Sequence, residues 1–524
     1  MQRRTRALAE EASLATLVLA HGALLLGWAA EDARPERSIC CDLVGPVAQR
    51  MAAHAAPGGG GRALAWSPDR GLLPDAGARA IEWLGGDPDG LVLLGGLGLL
   101  VAMVAVARLA RQLGGPLAGI VAAGVLPCVP ALALAGRRWD VYGAQAGVLC
   151  LAAWALVSSR SLTRVIPTVA FTSLALAGSF LSPRETDGFL VLLSLGAMGL
   201  GAGVRGLLLG VGPDGAPAVR WRVLLGGVFV VGCVAAGLDR WLVFTSPEGL
   251  GYYLRESSHN TASVDPATWS HRLAVVGRLF WRDLTPWLAV PVELATVAWL
   301  LRGRGRAELG GWLAIPLLVL SLLPKKNHYY ASVLIPVLPV VLGLGVAALP
   351  GRWLRRGIAV GVLGIASVQL LARTMPEGAV AKALGPVAWQ GGDPTWGRVF
   401  QTSDGDMDLA PDPDDQGAEV LAAAVVRATD AGACGCGLAV RTRGRGPWSG
   451  TNLHLLSQRP CLPVKQGGRL DQAAVLLVSG EEPETDAGSL ERAGLPLTEQ
   501  IQTPQGIVRV HARTRSWLAG RCPR

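Results

Sequence analysis

Long apolar runs constrain this chain more than anything else it contains. Runs of about 17–25 apolar residues cross a bilayer as helices. Candidates lie at 13–30, 91–107, 116–135, 141–157, 165–182, 188–204, 223–245, 286–301, 309–323, 331–349 and 357–372, about 11 in all. Hydrophobic residues make up 51% of the chain, and they come in blocks rather than amphipathic stripes. The expected fold is therefore an all-α polytopic membrane protein. The first run ends in a weak small-residue exit and ten more follow. It reads as an uncleaved anchor rather than a signal peptide.

The net charge of +9 invites a nucleic-acid reading, but its distribution argues for topology. With the N-terminus in the cytoplasm, the cytoplasmic segments are 1–12, 108–115, 158–164, 205–222, 302–308 and 350–356. They hold 16 Lys/Arg and 4 Asp/Glu. The opposite segments (31–90, 136–140, 183–187, 246–285, 324–330) hold 15 and 16 in about twice the length. Positive charge retained inside explains this asymmetry, and no anionic polymer is needed. The expected location is the cytoplasmic (inner) membrane, crossed many times.

Two domains are expected: a membrane domain over 1–372, and a linker with a small α/β domain over 373–524. An odd number of spans puts that tail outside the membrane, in the extracytoplasmic space. Residues 437–440, 473–478 and 507–510 read as strands, and 390–418 as a loose linker. Of nine cysteines, Cys128, Cys150 and Cys233 fall in spans, where a thiol acts as a small apolar group. Cys40, Cys41, Cys434, Cys436, Cys461 and Cys522 face the oxidising side, an even number that suits disulfides of open pairing. Cys434 and Cys436 are too close for an easy mutual bridge, and no second Cys/His pair has zinc-ligand spacing.

The residues able to do chemistry lie on the outer side. The segment 31–90 is too long for a mere connector. Ser38–Met51 and the stretch from Pro74 to Leu84 read as short helices at the membrane face, the first carrying Asp42. Arg137 and Arg138, beside Asp140, run against the charge trend, and arginine grips phosphate with a planar fork. Asp140 also suits a helix cap. Lys325, Lys326, His328, Tyr329 and Tyr330 form a second exception. They suit either an interfacial belt or a phosphate site. His271 precedes the Pro286-Trp287 pair, and Glu293 falls inside a span, where an ionisable group is a functional candidate. There is no Walker loop, dinucleotide fingerprint, HExxH or Gly-x-Ser-x-Gly elbow. No cofactor is expected, and a divalent metal is left open.

Taken in order over roughly 13–350, these features resemble the GT-C superfamily of polyprenyl-phosphate-sugar-dependent glycosyltransferases. The protein O-mannosyltransferase and lipid A aminoarabinose transferase branch is the nearest. That family opens with one span and an external acidic helix, matched by Asp42-Leu-Val-Gly-Pro-Val-Ala-Gln-Arg-Met. A Pro-containing amphipathic helix and a Gly before span two follow, matched by 72–85. Then come an Arg-plus-Asp loop (Arg137, Arg138, Asp140), a Pro-Trp before a span, and Lys326-Asn-His-Tyr-Tyr-Ala-Ser-Val-Leu-Ile-Pro336. The chain departs from the pattern at Leu43, where a second acid is usual, at Gly45, where an aromatic is usual, and at Pro74, a single proline in place of a pair.

The resemblance implies transfer of a sugar from a polyprenyl-phosphate donor to a lipid, glycan or protein acceptor at the outer face, with inversion. Asp42 would take the acceptor proton. Lys325, Lys326, Arg137, Arg138, Tyr329 and Tyr330 would hold the donor phosphate. Asp140, His271 and His328 are further candidates. The competing reading is a polytopic transporter or flippase for a lipid-linked or small anionic substrate, which Gly/Pro-interrupted spans would suit. A polysaccharide polymerase or ligase and an inert scaffold are the other rivals.

Overall fold

The computed structural model describes residues 2–31, 47, 72–83, 91–137, 139, 141–160, 164–179, 185–208, 284, 286–322, 333–374, 418–428, 439–443, 464–466, 470–479, 487–503, 506–514 and 516–518. The span expected at 223–245, the linker 390–418 up to residue 417, and all the cysteines except Cys128 and Cys150 lie outside them. Both of those are buried and unbridged.

The chain divides into two compact units. One holds Met1–Leu26, Gly95–Gly136 and Val141–Ala410. The other holds Gly27–Leu94, Arg137–Asp140 and Pro411–Arg524.

The apolar runs become helices: α1 (Gln2–Glu31), α2 (Leu72–Trp83), α3 (Leu91–Gly114), α4 (Pro116–Val125), α5 (Pro130–Ala135), α6 (Val141–Ser158), α7 (Val165–Ser179), α8 (Glu185–Leu208), α9 (Pro286–Arg302), α10 (Arg306–Leu322), α11 (Val337–Ala348) and α12 (Arg352–Thr374). Among the described residues, three helices are long and apolar enough to cross a membrane: Glu10–Ala30, Leu91–Gly114 and Arg352–Leu371. Pro116–Cys128, Tyr142–Ser158, Val165–Ala175, Val191–Ala202 and Val337–Ala348 are shorter apolar helices.

Local sequence sets the boundaries. Gly115 sits at φ +88° between α3 and α4, a left-handed position that costs glycine little. Pro116 then opens α4, where its missing N–H is not needed. Pro286 does the same for α9. The run 116–135 was expected to be continuous, but it breaks into α4, a 3-10 turn at Leu126–Cys128, and α5. Pro127 and Pro130, three residues apart, each remove a helical donor, so the chain turns and restarts at Pro130.

Within the first unit α8 packs on α10, α11 on both α4 and α9, and α12 on α4. Small residues make these contacts. A Cβ at Gly345 would collide with the carbonyl oxygen of Ala295, and one at Gly343 with that of Ala118. At Gly311 it would lie 2.5 Å from the Ala197 carbonyl oxygen. Backbones approach this closely only where side chains are absent. The two fully buried indoles satisfy their N–H groups on backbone: Trp299 on Arg304 at 3.0 Å and Trp312 on Val333 at 2.9 Å. Glu11 joins α1 to α3 by a bidentate pair with Arg108 (2.6 and 2.7 Å) and a contact to Arg111 at 2.7 Å.

The C-terminal part of the second unit is an α/β domain. Helix α13 (Ala418–Ala428) precedes β1 (Ala439–Arg443), β2 (Val464–Gln466) and β3 (Ala473–Ser479). Helix α14 (Ala487–Arg492), β4 (Leu497–Thr503) and β5 (Gly506–Ala512) follow. The sheet order is β2-β1-β3-β5-β4. β1 pairs parallel with β2 and β3, while β5 pairs antiparallel with β3 and β4. Alternation sends Val475, Leu477, Val508 and Val510 to one face, where they meet Leu421, Ala424 and Val425 of α13. Leu476 and Val478 face the other way, onto Leu490 and Leu495.

Arg513 closes this domain. It donates to the carbonyls of Ala473 at 3.2 Å, Leu470 at 2.8 Å and Ala493, and it lies 4.1 Å from the Trp517 ring centre.

Candidate functional site

Of the residues read as a site, Arg137 lies among those described. Asp42, Arg138, Asp140, His271, Lys325, Lys326, His328, Tyr329 and Tyr330 lie outside them. Lys325, Lys326, His328, Tyr329 and Tyr330 fall in the sequence just before Val333, whose carbonyl accepts from Trp312. Glu293 is exposed on α9 beside the exposed Leu294, so the described bundle does not enclose it.

Arg137 follows directly from the α5 break. Helix α5 ends at Gly136, and the next residue carries the guanidinium. It is buried, with 1% of its surface exposed. It lies 4.9 Å from the ring centre of Trp28, near the end of α1. An indole face attracts a cation most strongly where water is scarce. A planar, permanently charged group fixed this way keeps its fork in one orientation.

Two residues on, Trp139 anchors the same loop to α2. Its Nε1–H donates to the Leu73 carbonyl at 3.2 Å. The helix presents Leu73, Gly77 and Ile81 as buried residues on one face, at spacings of one turn. Gly77 leaves room for the indole: a Cβ there would lie 2.8 Å from Trp139 Nε1 and 3.1 Å from Val47 Cγ2. Val47 is helical, fully buried, and five residues along the chain from Asp42. Val47, helix α2 and Trp139 therefore meet at one glycine.

Sequence reasoning singled out the arginines and passed over Trp28, Val47, Gly77 and Trp139. Trp139 lay in plain view between Arg138 and Asp140. Its partner on α2 is 66 residues away and no local pattern marks it. Trp28 carried a weak signal, since indoles favour the ends of spans. Among the described residues, no three of His, Cys, Asp and Glu are grouped to share a metal ion.

No family model matches the sequence, and no curated protein matches it. Solved structures do. ArnT from Cupriavidus metallidurans in the apo state aligns over 98% of this chain and 99% of its own, with a TM-score of 0.54 and 14% identity. The same protein bound to undecaprenyl phosphate aligns over 96% and 98%, with a TM-score of 0.54 and 15% identity. The archaeal oligosaccharyltransferase AglB from Archaeoglobus fulgidus, in complex with an inhibitory peptide and a dolichol-phosphate, aligns over 96% of this chain and 74% of its own. Its TM-score is 0.51 at 11% identity. The chain shares the fold of these proteins. At such identities the likeness is one of fold, and it extends over 98% of this chain. The resemblance read from the residues covered only about 13–350.

Proposed function

We propose that this protein is an integral-membrane glycosyltransferase that moves a sugar from a polyprenyl-phosphate donor to an acceptor at the outer face of the cytoplasmic membrane. The observation that carries the reading is the end-to-end likeness to ArnT, one structure of which is bound to undecaprenyl phosphate. The buried Arg137 beside Trp28 supports it, because a polyprenyl phosphate needs a cation in a poorly hydrated setting.

In this reading the phosphate is already a good leaving group and needs charge stabilisation rather than an acid. Arg137 and Arg138, with Lys325, Lys326, Tyr329 and Tyr330, supply it. Asp42 accepts the proton of the attacking acceptor hydroxyl. One base without a nucleophilic carboxylate gives inversion at the anomeric carbon, unlike the paired carboxylates of retaining glycosidases. Asp140, His271 and His328 are secondary members of the site. The acceptor is a lipid, a glycan or a protein. The C-terminal domain is extracytoplasmic in this topology and is a candidate for holding that acceptor.

The test uses purified protein in lipid with radiolabelled polyprenyl-phosphate sugars and a cell-envelope extract as acceptor source. Release of polyprenyl phosphate is followed for the wild type and Asp42→Asn, with and without a chelator. Release that Asp42→Asn abolishes, with donor binding nearly intact, supports the reading. Full activity in that variant removes Asp42 from the mechanism. Movement of intact donor across the bilayer without release favours the transport reading, for which the α4–α5 break is the structural argument.

A further inference from the structure

We infer that Trp139 is a positioning residue, seated on Gly77, that sets the arginine loop against α2 and Val47, five residues along the chain from the proposed base Asp42. This rests on the transferase reading above. Three observations lead to it.

First, the loop is pinned twice within three residues. Arg137 stacks on Trp28 of α1, and Trp139 donates to Leu73 of α2. The two anchors are separate, so the cation can keep its place when the indole is disturbed. Second, the contact at Gly77 has no slack. Trp139 Nε1 and Cδ1 would lie 2.8 and 3.3 Å from a Cβ there, and Val47 Cγ2 at 3.1 Å. A Cβ at 2.8 Å from a ring atom forces a shift, and an indole moves as a rigid plate. Third, Val47 sits against the same glycine and lies five residues from Asp42 in sequence. Displacing the plate therefore shifts the arginine loop relative to α2 and Val47. Stability alone does not call for this arrangement. An alanine on the buried face of α2 would raise helix propensity, yet glycine stands there at a cost of about 1 kcal/mol.

Relative placement of reacting groups governs kcat more than donor affinity. A displacement near 1 Å costs about a hundredfold in rate. Gly77→Ala should therefore lower kcat for sugar transfer by about tenfold to a hundredfold, while the donor KM stays within about twofold. Trp139→Phe removes the N–H and shrinks the plate. Losing one neutral hydrogen bond, it should cost about twofold to tenfold in kcat. The decisive variant combines them. With phenylalanine at 139 the alanine at 77 no longer meets Nε1, so Gly77→Ala/Trp139→Phe should be as active as Trp139→Phe alone, and above Gly77→Ala.

The experiment measures kcat and donor KM for these four proteins in lipid, each normalised to polyprenyl phosphate bound per chain so that misfolded protein does not count. Rescue of Gly77→Ala by Trp139→Phe, with the change confined to kcat, supports positioning. An equal loss from Gly77→Ala in both backgrounds overturns the inference while the transferase reading stands. So does a loss confined to KM. A wild type that binds donor but transfers nothing overturns the transferase reading and the inference together.

Discussion

Replacing Arg137 tests whether this buried cation serves the donor or only the fold. Its guanidinium is 1% exposed and lies 4.9 Å from the Trp28 ring centre. If it also meets the donor phosphate, Arg137→Gln removes a charge-assisted contact worth about 1.5–3 kcal/mol. At about 1.4 kcal/mol per factor of ten, polyprenyl phosphate should bind about 10- to 150-fold more weakly. Arg137→Lys keeps the charge but loses the planar fork, so it should fall between the wild type and Gln. Trp28→Leu leaves the cation and removes its ring, a contact worth about 0.5–2 kcal/mol that should register chiefly as a lower thermal midpoint. The assay is a titration of polyprenyl phosphate into each variant in lipid, paired with thermal unfolding of the same samples. An Arg137→Gln protein that binds within twofold of the wild type, yet unfolds at lower temperature, refutes the donor role. A buried cation that serves only the packing of the fold would behave that way.

Two further outcomes follow from the packing and the C-terminal sheet. Gly345→Val drives a side chain into the Ala295 carbonyl and should destabilise the bundle by about 1–3 kcal/mol, read as a lower unfolding midpoint in detergent; an unchanged midpoint would show that α11 and α9 can part freely. Burial holds the His511 imidazole below its ordinary pKa, with Arg509 adding to the effect and the bond from Nδ1 to the Leu495 carbonyl opposing it. The unfolded chain therefore binds a proton more readily than the native one. Native-state stability of the sheet is full above about pH 6.5 and is lost as pH falls through the lower folded value. Hydrogen-exchange protection of β3 and β5, corrected for intrinsic rate, should drop over that window in the wild type and stay flatter in His511→Gln.

Much of the fold was legible because apolar runs and helices obey the same length rule. Where a run contained Pro127 and Pro130 the chain broke, and counting apolar residues could not see it, because proline is apolar yet withholds its donor. The strands read from the tail were β1, β3 and β5, whose valines alternate or cluster. β4 (Leu-Thr-Glu-Gln-Ile-Gln-Thr) went unread because an edge strand buries little: only Ile501 and Thr503 are enclosed. β2 is three residues long and offers no period. In the candidate site, charge type pointed to Arg137 because a cation on the outer side is out of place there. Gly77 and Trp139 could not be read, since their meaning lies in a contact between distant parts of the chain, and glycine in a helix looks like a weak position rather than a seat.

The strand order has a consequence for how this protein is made. β5 lies inside the sheet, between β3 and β4, yet it comes after every other strand in the chain. Synthesis therefore delivers β1, β2 and β3 well before β3 can gain its second neighbour. Until residues 506–512 emerge, one edge of β3 stays unpaired, flanked by Val475 and Leu477, and an open edge of that kind recruits whatever strand it meets. β3 gains its second neighbour only when β5 inserts and Arg513 reaches the three carbonyls that it ties together. Removing residues 506–524, β5 with everything after it, would thus leave an aggregation-prone half-sheet, not a slightly smaller domain.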